Sequence, residues 1–429
     1  RYSGASPAAG SDARMSVVNR MLAFPRRMID SILGNRTKLP RFVNRTIDYI
    51  AEHPDSPLGR LAARSLGSTR PEDLPAPTAA PETDVRVYIG PTNYAEQGWA
   101  WARALEASGV GARNMAVDVP GGFSFRADTE VPVPAYTSSE LWQNAELEAV
   151  SAFTHVLFEA ERPLFGRLFG RDVEREDTEL IARGLSTAFM CHGSDIRLPS
   201  RHTDFTSWSP FGERDPYVDK LERDAARNGE MLARTTRPIF VSTPDLLADV
   251  PQATWCPVVV DVDRWSAAIG PASTTTPVQV AHVPSKSVIK GTPLIEPVLS
   301  VLDDEGLVQY SPISGVPSAK MPEVYGVADI VLDQFRLGSY GVAACEAMAA
   351  GCVVVGHVVP FVREHVAAVT GQELPIVEAT PDTLEQVLRE LIADPQRRAE
   401  LIAEGASFVR DVHDGRMSAA VLRTGWIDG

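Results

Sequence analysis

Cysteine is scarce. The 429 residues contain four, Cys191, Cys256, Cys345 and Cys352, with no Cys-x-x-Cys pair and no Cys/His spacing of a zinc module. Each falls in an apolar strand or helix context, which reads as a reduced core thiol and excludes a disulfide scaffold. No apolar run approaches the length that crosses a bilayer and no signal-peptide pattern opens the sequence, so the expected location is the cytoplasm. There is no Gly-x-x-x-x-Gly-Lys-Ser/Thr run, and P-loop phosphoryl transfer is therefore unsupported. Positive charge is also short, 41 Lys and Arg against 56 Asp and Glu, for a net charge of −15. The deficit is uneven: residues 1–70 carry 12 basic against 5 acidic side chains, and the acidic remainder argues against nucleic acid as a partner.

What is present centres on residues 329–356. Ile330 to Leu332 form a short apolar run of the buried-strand kind, Gly338 and Gly341 open a tight loop, and Val342 to Ala350 form a compact Ala-rich helix. Gly351 sits where a left-handed helix stop belongs, before a second buried strand from Cys352 to Val355. This is a strand–loop–helix–strand unit of a parallel sheet, whose loop presents backbone N–H groups and a positive helix end to the crevice above the strands. Glu346 stands out because its helical neighbours are small or apolar. It is either a carboxylate on a narrow solvated stripe or a buried one directed at a ligand's hydroxyl pair.

The length implies two domains plus extensions. Residues 1–83 read as a basic helical extension and a Pro/Thr/Ala-rich linker, 84–272 as a first Rossmann-like domain, 273–405 as a second, and 406–429 as a helical segment crossing back to the first. The helical spacings of residues 14–50, interleaved with Arg and Lys, fit either a segment packed on the acidic body or one meeting an anionic membrane surface. In the first domain, strands are expected at 85–89, 152–158, 185–191 and 238–244, with a helix over 99–108. The loop ending in Gln97 and Gly98 should line the ligand crevice. His192 follows the third of these strands, and with Asp195 and Arg197 it stands at the strand's carboxyl end, the usual ligand side. In the second domain, strands are expected at 278–283 and 307–310. Residues 284–292 read as a loop carrying Lys286 and Lys290, followed by a helix to Asp303. Two lysines suit a diphosphate, and the Glu346 carboxylate suits a ribose diol.

These stretches resemble a family. Ala281-His-Val-Pro-Ser-Lys-Ser-Val-Ile-Lys-Gly-Thr292 is similar to the lysine loop of bacterial family 4-type glycosyltransferases of the GT-B fold. Gly338 to Gly351 is similar to their donor-site helix, and Val241–Pro244 and His192–Arg197 match further patterns of theirs. The resemblance spans residues 84–424 and implies two doubly wound α/β domains facing across a cleft. It also implies transfer of a sugar from a nucleotide-diphosphate sugar to an acceptor hydroxyl, with retention and without a metal or other cofactor. The acceptor, whether glycan, lipid-linked or protein, is not specified. By resemblance, Lys290, helped by Lys286, holds the diphosphate and Glu346 the ribose. Ser339, Tyr340, Gly341 and Val342 surround the phosphate and sugar, His192 faces the donor sugar, and Gln97 and Gly98 line the cleft opposite. The first Glu of the family's Glu-x7-Glu pair falls at Gly338, so its contact to the sugar does not carry over. The family's Arg near the lysine loop is absent, with Lys286 in its place. A non-catalytic nucleotide-sugar-binding or scaffold protein of the same fold is the alternative, and a sugar epimerase a more distant one.

Overall fold

The computed structural model describes residues 71–119, 125–213, 215–267, 269, 277–284, 287–313 and 316–429. Residues 14–50 and Lys286, singled out in the sequence, lie outside the described residues.

Two all-parallel sheets form the molecule. The first has seven strands: β1 Arg86–Gly90, β2 Gly111–Asp118, β3 Thr129–Pro132, β4 His155–Glu159, β5 Ser186–Cys191, β6 Ile239–Val241 and β7 Thr254–Trp255, in the order β3-β2-β1-β4-β5-β6-β7. The second has five: β8 Val278–His282, β9 Val308–Pro312, β10 Ile330–Leu332, β11 Val353–Gly356 and β12 Ile376–Glu378, in the order β12-β11-β10-β8-β9. Val- and Ile-rich runs buried on both faces, such as Val87–Ile89 and Val353–Val355, need helices on each side, and parallel pairing supplies the crossovers. In both sheets the strand order reverses once, between β1 and β4 and between β8 and β10. Ligands of doubly wound sheets bind beyond the carboxyl ends of the strands at such points.

Residues 284–292, expected as a loop, contain a one-turn helix, Ser287–Lys290, before the Thr292–Asp304 helix. The Pro-rich stretch before β1 is laid on the body: Thr78 is buried and its N–H donates to Glu146 Oε2 at 2.9 Å. The chain ends on the first sheet. Ala419, Leu422, Trp426 and Ile427 share a core with Val87, Ile89, Trp101 and Leu105, and Trp426 Nε1–H donates to Ser186 Oγ at 2.9 Å. All four cysteines are free and buried, as their apolar contexts predict. No described helix is long and apolar enough to cross a membrane.

Candidate functional site

At the first sheet's reversal, the loop after β1 meets the end of β4. Glu159, the last residue of β4, is fully buried, and its Oε2 accepts from the backbone N–H of Thr92 (3.2 Å) and Asn93 (3.0 Å). Gly98 makes this possible, since a Cβ there would lie 3.0 Å from Glu159 Oε2. Gly98, expected to line the cleft, is a close-approach point for this carboxylate. The other Glu159 oxygen lies 3.2 Å from His192 Nε2. The β4–β5 pairing sets Glu159 opposite Met190, which carries His192 past the strand end toward that carboxylate. The imidazole packs edge-on to Tyr94 and tilted against Trp101, with ring centroids at 5.4 and 5.5 Å. Asp195 closes the turn, accepting the His192 N–H at 2.8 Å and the Gly193 N–H at 2.5 Å. These two bonds shape the loop.

Arg197 does not point freely into a cleft. Its guanidinium donates to Asp245 Oδ2 at 3.1 Å (Nε) and 2.5 Å (Nη2). Asp245 Oδ1 in turn accepts the Ser339 hydroxyl at 2.6 Å. Further bonds join the same regions: His202 Nε2 to the Leu337 carbonyl (3.0 Å), and Arg336 to the carbonyls of Trp208 and Ser209 (2.9 Å each). The Gly loop of the second sheet is therefore fastened to the first half of the chain. Within the loop, Gln334 donates to the Ser339 carbonyl, and the buried Tyr340 hydroxyl meets His413 Nε2 at 3.3 Å.

At the second sheet's reversal, Lys290 from the β8 side meets Asp333 from the end of β10. The Lys290 ammonium donates to Asp333 Oδ1 at 2.8 Å, and both groups are largely buried. A bound anion would share this cation with Asp333. Gly341 and Val342 begin the Val342–Ala349 helix, in which Ala344, Cys345, Ala347, Met348 and Ala349 are buried. Gly338 has φ +66°, and a Cβ there would sit 2.6 Å from Val359 Cγ1. The left-handed backbone and the Val359 contact together strain any side chain at this position, a glutamate included. That is the physical side of the departure seen in the sequence.

Glu346 is half-buried in the wall of a cavity of about 530 Å³. Val342 lies beside it, Ala95, Glu96 and Gln97 come from the first sheet's loop, and Asp261 and Arg264 come from the connection between the sheets. Burial raises the Glu346 carboxyl to about 8; Glu96 raises it further, while Arg264 and Lys290 oppose the shift. No described residue makes a hydrogen bond or ion pair with its carboxylate. Gln97 lines the same cavity, but its amide is committed to the backbone of Val259, donating to the carbonyl at 3.0 Å and accepting the N–H at 2.7 Å. His192, Asp195, Arg197, Lys290 and Ser339 are outside this wall. The sequence reading missed Glu159, Asp245, Arg264 and Asp333. A larger groove of about 920 Å³ lies by β12, but its charged lining (Glu373, Glu378, Glu390, Asp394 and Glu404 against Arg397) disfavours an anionic ligand.

Comparison with known proteins agrees with this architecture. The family model "Glycosyl transferases group 1" matches residues 307–408. Among solved structures, the catalytic domain of starch synthase IV from Arabidopsis thaliana, bound to ADP and acarbose, superposes with a TM-score of 0.51 at 10% identity, covering 79% of this chain and 97% of that one. Sucrose-phosphate synthase from Thermosynechococcus elongatus gives 0.48 at 14% identity, covering 79% and 97%. HepE of Anabaena in complex with UDP-glucose gives 0.49 at 10%, covering 79% and 98%. No curated protein sequence matches. The fold is the two-domain GT-B arrangement.

Proposed function

We propose that the chain is a glycosyltransferase that moves a sugar from a nucleotide-diphosphate sugar to an acceptor hydroxyl with retention of configuration, in the synthesis of a surface polysaccharide or glycoconjugate. The observation that carries this reading is Glu346: a carboxyl without a described partner, on the helix behind a Gly loop, in a cavity walled by both halves of the chain. The match of residues 307–408 to group 1 glycosyl transferases supports it.

In this reading Glu346 accepts the ribose hydroxyls. Lys290 and the N–H groups from Tyr340 to Val342 hold the diphosphate. As the bond from the anomeric carbon to the diphosphate oxygen breaks, its electron pair stays on the diphosphate, and these fixed donors stabilise the growing charge. The acceptor oxygen forms the new bond to carbon, and its proton leaves with the diphosphate. His192, oriented by Glu159, stands at the sugar end.

Lys290→Ala should weaken nucleoside-diphosphate binding by about 1–3 kcal/mol, the scale of a charge-assisted hydrogen bond. Glu346→Gln should weaken it as well, because an amide puts a donor where a diol needs an acceptor. Calorimetry on the purified variants checks both, and parent-like affinity in the two would remove the cavity assignment. A second readout tests the carboxyl itself. With its pKa raised to about 8, Glu346 is mostly protonated at pH 7 in the free protein. Hydroxyls that donate to it favour the carboxylate, so nucleotide binding at pH 7 should release a proton. Binding enthalpies measured in buffers of different ionisation heat should differ accordingly, and the difference should vanish in Glu346→Gln. A parent whose enthalpy ignores the buffer contradicts the diol contact.

One observation favours a second reading, a nucleotide-sugar-binding protein without turnover: Gly338 cannot supply the sugar contact of the resembling family. Measured turnover on a donor decides between them.

A further inference from the structure

A cluster apart from the proposed donor contacts lies behind the His192 turn. The chain leaves β4 through Ala160 and Glu161, which have φ of +55° and +50°. This places Glu161 beside Cys191, the last residue of β5. Glu161 is 6% exposed, Cys191 is fully buried, and Glu161 Oε1 lies 3.3 Å from Cys191 Sγ. The Asp195 carboxylate completes the group, with one ligand atom from each of the three residues within 4.8 Å of the others. Glu161 Oε2 is buried and has no hydrogen-bond partner. Neither carboxylate has a salt-bridge partner among the described residues, and the neighbouring Arg162 is exposed. A buried Glu161 carboxyl with an oxygen that nothing satisfies, set beside the half-buried Asp195 carboxylate, is costly unless a proton or a cation lies between the two.

The chemistry of the donors decides which cation fits. A thiolate with two carboxylates is a set for a borderline divalent ion of the zinc class rather than for magnesium or calcium, which prefer all-oxygen sites. Zinc–sulfur and zinc–oxygen bonds of about 2.3 and 2.0–2.2 Å at a tetrahedral angle set the two donors about 3.5–3.7 Å apart. The Glu161–Cys191 separation of 3.3 Å is a few tenths of an ångström shorter, so a small outward shift of the Glu161 side chain would admit the ion. Asp195 is held in place by the N–H groups of His192 and Gly193, the kind of outer contact that orients metal ligands.

We propose that Glu161, Cys191 and Asp195 form a binding site for one divalent ion of the zinc class, with solvent as the fourth ligand. Binding releases the thiol proton of Cys191, and any proton shared by the carboxyl groups, to solvent. The site ties the end of β4 to the turn that carries His192.

Cobalt(II) is the probe, because a thiolate–cobalt bond absorbs in the near ultraviolet and cobalt takes the same ligands as zinc. The full chain, stripped with chelator and still folded by circular dichroism, should bind one Co²⁺ with that absorption, and Zn²⁺ should displace it. Its melting temperature should rise with either ion, since a ligand of the folded state alone stabilises it. Cys191→Ser should abolish the absorption, which separates this thiol from Cys256, Cys345 and Cys352. Glu161→Gln should weaken Co²⁺ binding at least tenfold. Should Cys191→Ser fail to fold, the parent titration and Glu161→Gln still decide. A folded parent with no cobalt absorption in metal excess would leave a shared proton as the occupant and overturn the proposal. So would an absorption band that survives in folded Cys191→Ser.

Discussion

His192→Ala should lower turnover of the donor by roughly 10²-fold or more, the order for losing a positioned polar group at a reacting centre. Affinity for the free nucleoside diphosphate should hardly change. The division follows from the geometry. The imidazole belongs to the first sheet, fixed by the buried Glu159 carboxylate at 3.2 Å and by the rings of Tyr94 and Trp101. Glu346 and Lys290, which hold the nucleotide in the proposed reading, belong to the second half of the chain. Losing an interaction made only near the transition state lowers kcat and leaves binding intact. Glu159→Gln is the companion variant: it keeps a hydrogen-bond acceptor for the ring but disturbs the pairing that orients it, so it should lower kcat more than nucleotide affinity. Steady-state kinetics beside calorimetry on parent and variants checks this. A His192→Ala protein that loses binding and stability together would instead mark the residue as structural.

Asp245→Ala should destabilise the fold by about 3–5 kcal/mol, the cost of removing one partner of a buried ion pair. Asp245 is 6% exposed and the Arg197 side chain 12%, so the guanidinium would be left desolvated and uncompensated. The same substitution frees the Ser339 hydroxyl, and with it a tether of the Gly loop. The pH dependence has a definite sign. Burial alone would raise the Asp245 carboxyl, but Arg197 and the hydroxyls of Ser339 and Thr243 outweigh it and hold the group below its ordinary value. Its stabilisation is therefore fully present above an unfolded-state value of about 3.9 and is lost as pH falls through the lower folded value. Denaturant unfolding near neutral pH and in acid, on parent and variant, measures both effects. A loss under about 1 kcal/mol, the scale of an exposed pair, would show that the linkage is not closed in solution.

The residues that could be found in the sequence are those whose local pattern announces their place. Apolar runs ending in Gly or a polar turn gave β1, β5, β8, β10 and β11, and with them the loops that carry His192 and Lys290 and the helix that carries Glu346. β2 escaped because Arg113 and Asn114 break its apolar pattern. Asn114 is nevertheless buried, and its backbone and side chain are matched by those of Asp128 (N–H to Oδ2 at 2.9 Å, Oδ1 from N–H at 3.0 Å), a pairing no local signal encodes. The missed site residues share one property. Glu159, Asp245, Arg264 and Asp333 are ordinary charges in sequence and gain meaning only from partners on other strands or across the two halves. Gln97 shows the converse. Its place beside the cavity was legible, but not the commitment of its amide to Val259, which depends on a contact 162 positions away.

Whether this cleft binds a nucleotide-diphosphate sugar and breaks its glycosidic bond is decided by one assay. Release of nucleoside diphosphate is followed from a panel of such donors, with and without acceptor sugars, on the parent protein and on Lys290→Ala and His192→Ala. Slow release from at least one donor is expected of the parent. Lys290→Ala should recover part of the rate at high donor concentration, and His192→Ala should stay slow at saturation. A parent that binds a donor tightly yet releases nothing across the panel would contradict the enzyme, and one that binds none would contradict the site.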